Sequence, residues 1–177
     1  RLPLLQRVKI ILPPSSWIRS SLRTKGVSLI PASPAHVGRV ANKMRAIDKA
    51  ECAARGRGPK AALRLALRSS IWSLTAFVDG EPEAMFGLSP ICAITDRGCP
   101  WFLGSDRVMR HGRDMLLIGS EVIEHMHRHS RRLENSVSVD NAAAVRLLRR
   151  WGFTIGEQPY QQGGVRFVRF WRDLDHV

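Results

Sequence analysis

Residues 140–153 read DNAAAVRLLRRWGF, and this stretch decides the fold. It holds the start, body and stop of one helix. Asp140 or Asn141 can cap the first turn by accepting a hydrogen bond from a backbone N–H. Ala142 to Arg150 are good helix formers, with Val145, Leu148 and Trp151 three apart on one side. Arg146, Arg149 and Arg150 gather positive charge toward the negative end of the helix dipole. Gly152 can take the left-handed conformation that ends a helix, and Phe153 can fold back onto the last turn. The stretch therefore predicts a capped helix with a glycine stop, set between two strands.

Working outward, Leu133 to Val139 alternates apolar with polar residues, as a half-buried strand does. Phe153 to Ile155 opens the next strand, residues 156–164 form a loop, and Val165 to Trp171 is the last strand. Further upstream, Ser105 or Asp106 can cap a helix carrying Met115, Ile118, Val122 and Met126 on one face. Ile71 to Val78 and Glu83 to Leu88 read as strands joined by the hairpin signal Asp79-Gly80, and Cys99 to Leu103 as a third. The first strand is Val27 to Ile30. Ser33-Pro34 then starts a helix running through Val37, Val40, Ala41, Met44 and Ile47. Gly56-Arg57-Gly58-Pro59 interrupts it, and a second helix follows with Ala62, Leu63, Ala66 and Leu67 on one side. The order predicts an α/β (α+β) domain with a mixed central sheet of about seven strands and about four helices.

A chain of 177 residues with 44% apolar content suits one domain, expected over residues 27–177, with residues 1–26 as a basic N-terminal appendage or linker. No apolar run reaches the ~18 residues of a membrane span. Cys52, Cys92 and Cys99 are odd in number and lack metal-ligand spacing, which fits reduced thiols in a cytoplasmic compartment. The net charge of +13 is uneven: residues 1–70 hold 15 Lys or Arg against Asp48 and Glu51, while the remainder balances. Such a segment can hold phosphates by counterion release, on nucleic acid, a cofactor or an anionic partner. No helix-turn-helix, zinc or aromatic RNA-binding motif accompanies it. Glu121, His125 and His129 recur every fourth residue, but nothing supplies a further ligand, so a polar helix face is expected and no metal.

The element order, together with N-A-A-A-V-R-L-L-R-R-W-G-F, resembles the GNAT superfamily of N-acetyltransferases. Closer still is the resemblance to GNAT-like proteins of tailed bacteriophages, including internal virion proteins of podoviruses. It is carried by HVGRVANKMRAIDKAE, GEPEAMFGL, PWFLGS and RLENSV before the Asn-helix-Gly-Phe unit, and covers about residues 27–172. The resemblance implies acetyl-coenzyme A bound where two central parallel strands splay apart. Its pyrophosphate would rest on backbone amides opening the helix after the fourth strand. It also implies a location in host cytoplasm or virion, with nucleic acid or virion proteins held through residues 1–70.

In that family the phosphate loop has the form Q/R-x-x-G-x-G/A, and no window of Gly104 to Arg113 matches it. The cofactor residues implied are Leu103, Gly104, Ser105, Arg107, Arg110, Gly112, Arg113 and Asn141. Many relatives carry a catalytic Tyr seven residues after the motif Asn. That position is Leu148 here. The remaining candidates for acid–base work are Tyr160, the sole tyrosine, and Glu83. Two functions follow: acetyl-coenzyme A-dependent N-acyl transfer to an amine, or the same fold without catalysis as a virion protein with a basic N-terminal third.

Overall fold

The computed structural model describes residues 26–92 and 94–174. The appendage expected over residues 1–26 lies, apart from Gly26, outside the described residues. The chain order is β1 (Val27–Pro31), α1 (Pro34–Lys43), α2 (Ala46–Ala54), α3 (Pro59–Ser69), β2 (Trp72–Val78), β3 (Glu81–Cys92), β4 (Arg97–Gly104), α4 (Asp106–Met109), α5 (Gly112–His127), β5 (Arg132–Ser138), α6 (Ala142–Arg150), β6 (Thr154–Ile155), β7 (Tyr160–Gln162) and β8 (Val165–Asp173). The strands form one eight-stranded mixed sheet in the order β1-β2-β3-β4-β5-β8-β6, with β7 also on β8. Among the described residues no helix is long and apolar enough to cross a membrane.

The expected mixed α/β class is the fold observed. The β2–β3 turn places Asp79 and Gly80 at φ 49° and 78°, the left-handed pair of a tight hairpin. The opening stretch forms as read. Asn141 caps α6 by accepting from Ala144 N at 3.4 Å. Gly152 sits at φ 79°, and Phe153 N and Gly152 N donate to Leu148 O and Arg149 O, which closes the helix with a Schellman motif.

Three details depart from expectation. The helix expected from Pro34 through Ile47 is broken at Met44 and Arg45, both in extended conformation at ψ 137° and 148°. Met44 forms a β-bridge with Ser105 there, and Arg45 N donates to Gly104 O, so the end of β4 claims the backbone the helix would have used. The helix expected from Ser105 is likewise two pieces. Ser105 caps only the short α4, through Val108 N, and the long helix restarts at Gly112. The loop expected between the last strands contains β7, paired to β8.

Apolar side chains fill both faces of the sheet. On one, Val37, Val40, Ala41, Cys52 and Leu63 from α1–α3 pack on Met85, Trp101 and Leu103. On the other, Met115, Ile118, Val122 and Met126 of α5 cover Leu74, Phe86, Leu133 and Val137, with Val145, Leu148 and Trp151 beside them. We call these the α3 face and the α5 face.

Candidate functional site

Strands β4 and β5 run parallel, yet they pair only at Arg97 with Arg132 and Gly98 with Leu133. Beyond those two rungs the strands separate. Asn135 Nδ2 donates to Pro100 O at 2.9 Å, a side chain spanning where backbone bonds have stopped. A central strand covered by helices on both faces is normally buried on both. Here Cys99 through Leu103 are all only half-buried, and so are Glu134 through Ser136. The reason is a cavity of about 440 Å3 that passes through the split and reaches both faces. Phe102, Ile118, Leu148 and Trp151 line it on the α5 face, and Cys52, Trp101 and Leu103 on the α3 face. Its size is that of an ordinary small-molecule site, ~300–1,000 Å3.

Helix α6 explains how the cavity stays open. It buries no residue fully, although Ala144, Leu147 and Leu148 form an apolar stripe. That stripe faces the cavity instead of sealing against α5. Trp151, on the last turn, donates its indole N–H to Leu116 O at 3.3 Å and so pins α6 to α5 at one point.

On the α3 face, α2 lies across the split and takes hold of both strands. Asp48 accepts from Gly104 N at the end of β4 (3.2 Å) and from Arg45 Nη2 and Nε at 2.6 and 3.1 Å. Glu51 Oε1 accepts from Ser138 N at the end of β5 (3.1 Å) and from Asn141 Nδ2 (3.0 Å). Arg45 Nη1 reaches Asn141 Oδ1 at 3.5 Å and completes the loop. Burial pushes both carboxyls above their ordinary range, against the opposing pull of Arg45 on Asp48 and of the Asn141 and Ser138 hydrogen bonds on Glu51. Next along, Arg55 donates to Ser136 O and Oγ at 3.1 Å and stands 4.3 Å over the Phe167 ring.

The residues singled out from sequence fall into distinct places. Tyr160 belongs to β7, outside the cavity lining, and its hydroxyl donates at 2.8 Å to Ser136 Oγ, which lines the cavity. Glu83 lies on the α3 face outside the cavity lining, bonded to Lys43 Nζ (2.9 Å) and Ser105 Oγ (2.5 Å). Burial raises its proton affinity, but the hydrogen bonds from Lys43 and Ser105 and the charges of Lys43 and Arg107 outweigh that and hold it ionised below its usual range. Leu148 is half-buried in the wall of the cavity.

Leu103 also lines the cavity, on the α3 face. Gly104, Ser105 and Arg107 are occupied internally. Gly104 N serves Asp48, Ser105 N serves Glu83 O, and Arg107 pairs with Asp79 and Glu83. Arg110, Gly112 and Arg113 instead gather at the start of α5, where the space beside Gly112 Cα is open. Within the window Met109-Arg110-His111-Gly112-Arg113-Asp114 the fourth place keeps a glycine and the sixth holds Asp114, whose carboxylate lies 3.8 Å from His111 Nδ1. Asn141 is on the cavity wall with both side-chain ends engaged. Sequence reasoning missed Arg45, Asp48, Glu51 and Arg55. The one signal available was that Asp48 and Glu51 are the sole acids among the first 70 residues.

Three of the basic residues in that segment are engaged within the fold, Lys43 on Glu83, Arg45 on Asp48 and Arg55 on Glu51, while Arg39 stands exposed 3.9 Å from Glu81. On the helical stripe considered for metal, His125 packs against His129 at 5.2 Å and against Trp72 at 5.3 Å. Among the described residues no group of three or more His, Cys, Asp and Glu is placed to hold a metal ion.

No family model and no curated protein matches the sequence. Solved structures do match. Ard1 from Thermoplasma volcanium aligns at TM-score 0.63 and 17% identity, over 85% of this chain and 99% of that one. A GNAT-family acetyltransferase from Streptococcus pneumoniae gives 0.59 and 18%, over 84% and 99%. The ribosomal L7/L12 alpha-N-protein acetyltransferase, solved in complex with coenzyme A, gives 0.62 and 16%, over 86% and 96%. The order of the strands, the split between β4 and β5 and these likenesses give one conclusion: the chain has the GNAT acetyltransferase fold.

Proposed function

We propose that this chain is a coenzyme A-dependent N-acyltransferase working in the β4–β5 split. The observation that carries the reading is the cavity that crosses the sheet at the split, because it lets a thioester entering from the α5 face meet an amine arriving from the α3 face. A pantetheine arm suits the apolar stripe of α6 and the half-buried middle of β4. The diphosphate end suits the free amides that open α5 and the side chains of Arg110 and Arg113, with Gly112 allowing close approach. Asp114 stands against it, which favours weak binding of that end.

In the transfer, the amine nitrogen attacks the thioester carbonyl. The C–N bond forms, the C–S bond breaks, the nitrogen sheds a proton and the departing thiolate gains one. Glu51, a cavity-lining carboxylate made more basic by burial, receives the amine proton. On the same polar wall, Ser136 takes a hydrogen bond from the exposed Tyr160 behind it, and this hydroxyl relay delivers a proton to the sulfur. Glu83, tied to Lys43 and Ser105, keeps the strand ends in place.

Titration calorimetry with acetyl-coenzyme A tests the binding step, and absence of binding at millimolar cofactor overturns the reading. Tyr160→Phe and Glu51→Gln test the chemistry: each is expected to lower kcat by about a hundredfold or more, with Glu51→Gln also flattening the acid limb of the pH–rate profile. Unchanged kcat in both reassigns the proton transfers. The fold without catalysis, as a phage or nucleic-acid-associated protein, is the alternative outcome. None of the structures named above is a phage protein, and the charge pairing on α1 and α2 leaves that role fewer free cations.

A further inference from the structure

Beyond the acyl-transfer reading, on which it rests, the α3 face holds a surface that an acetyl group and an amine leave unused. Past the split, the cavity divides by chemistry. Toward β5 its wall is polar, with Glu51, Arg55 and Ser136. Toward β4 and α3 it is apolar, lined by Cys52, Ala62, Leu65, Ala66, Cys99 and Trp101.

That second branch is built by small side chains. Ala62, Ala66 and Ser69 follow at four- and three-residue spacing on α3, so the helix turns a shallow row toward β4. Only Leu63 of α3 is fully buried, and Leu65 stays 38% exposed at the outer rim. Opposite, Cys99, Trp101 and Leu103 remain half-buried in the middle of the sheet, beneath a helix that ought to cover them. The Trp101 indole is not free to swing in and fill the space, because its Nε1 donates to Ser70 Oγ at 2.8 Å. Cys99 and Cys52 add no charge: burial pushes both thiols up to about 11. The row from Ala62 to Ser69 is about 10 Å long at 1.5 Å per residue, close to the length of an extended octanoyl tail.

We propose that the donor is a medium-chain acyl-coenzyme A whose aliphatic tail lies in this channel between α3 and β4. The polar branch is then left to the amine. A chain entering an apolar channel gains about three- to fourfold in affinity per methylene buried, so affinity measures occupancy directly.

The test is titration calorimetry of the full chain with coenzyme A and its acetyl, butyryl, hexanoyl and octanoyl thioesters. Affinity is expected to climb at each step from acetyl to octanoyl. Ala66→Phe, which places a ring in the channel, should bring the octanoyl thioester down to the affinity of the acetyl one. Equal affinity for all the thioesters, with coenzyme A itself bound, overturns the proposal and leaves the acyltransferase reading standing. Absence of binding by every one of them overturns both. A chain-length gain that survives in Ala66→Phe overturns the location. Indifference to acyl length combined with a lower KM for amines bearing apolar side chains also overturns it, and gives the channel to the acceptor.

Discussion

The grip of α2 on the two splayed strands can be tested by removing its cation. Arg45 and Asp48 are 6% and 2% exposed, and the guanidinium meets the carboxylate through two hydrogen bonds of 2.6 and 3.1 Å. Arg45→Met keeps an unbranched apolar stem, removes the guanidinium and leaves a carboxylate buried with Gly104 N as a weak remaining partner. Breaking a buried pair in this way costs about 3–5 kcal/mol. With a urea slope of about 2 kcal/mol per M, the unfolding midpoint should drop by roughly 2 M. The pH dependence carries the diagnosis. Burial already raises the Asp48 pKa, and losing Arg45 raises it further. A carboxyl whose folded pKa lies above its unfolded value binds more protons when folded, so its penalty is absent at low pH and grows as pH rises through the unfolded value of about 3.9 toward the folded one. The deficit of Arg45→Met against the parent should therefore be small near pH 4 and full at about pH 8. A deficit below about 1 kcal/mol, or one equal at both pH values, refutes the account of Arg45 as the charge partner that keeps Asp48 ionised.

Two further outcomes are expected. Gly119→Ala drives a methyl into the Trp151 ring, which its bond to Leu116 O holds in place; urea unfolding should show a loss of about 1–3 kcal/mol, accompanied by a change in tryptophan emission. Burial, with the nearby charges of His129 and Arg128, lowers the His125 pKa from 6.5 to about 4. Its neutral form is the folded one, so its contribution is full above about pH 6.5 and drains as pH falls toward about 4, reaching about 2 kcal/mol lost by pH 5. Denaturant unfolding of the parent and of His125→Phe at pH 7.5 and 5 measures it, and the parent should lose about 2 kcal/mol more than the variant.

The features legible in the sequence were those whose causes lie within one turn or one hairpin. Asn141, Gly152 and Asp79-Gly80 act through local backbone geometry, and each sits where the residue type requires. The break at Met44–Arg45 was hidden because Val37, Val40, Ala41, Met44 and Ile47 keep helical spacing across it, while its cause, the end of β4, lies some sixty residues away. The same distance hid the site. Glu51 meets Ser138 and Asn141 across nearly ninety residues, and Tyr160 meets Ser136 only because β7 and β5 flank β8. The long helix after β4 was placed too early because Ser105 is a good cap. It does cap, but for four residues only.

The two rungs that join β4 to β5 have a mechanical consequence. One half of the sheet, β1–β4, is a run of antiparallel neighbours, and the other is knit by β8. Between them the strands pair at Arg97 and Gly98, with Arg131 N donating to Asp96 O just beyond, so the described residues form two plates joined at one end. Helix α2 then acts as a tie-bar across the open end, anchored to one plate at Gly104 and to the other at Ser138. The width of the gap is accordingly set by the Asn135 amide that spans it to Pro100, by two carboxylates on α2 and by the Arg45 guanidinium just before that helix. A fold of this kind can vary the caliper of its slot by changing a single helix, leaving every strand as it is.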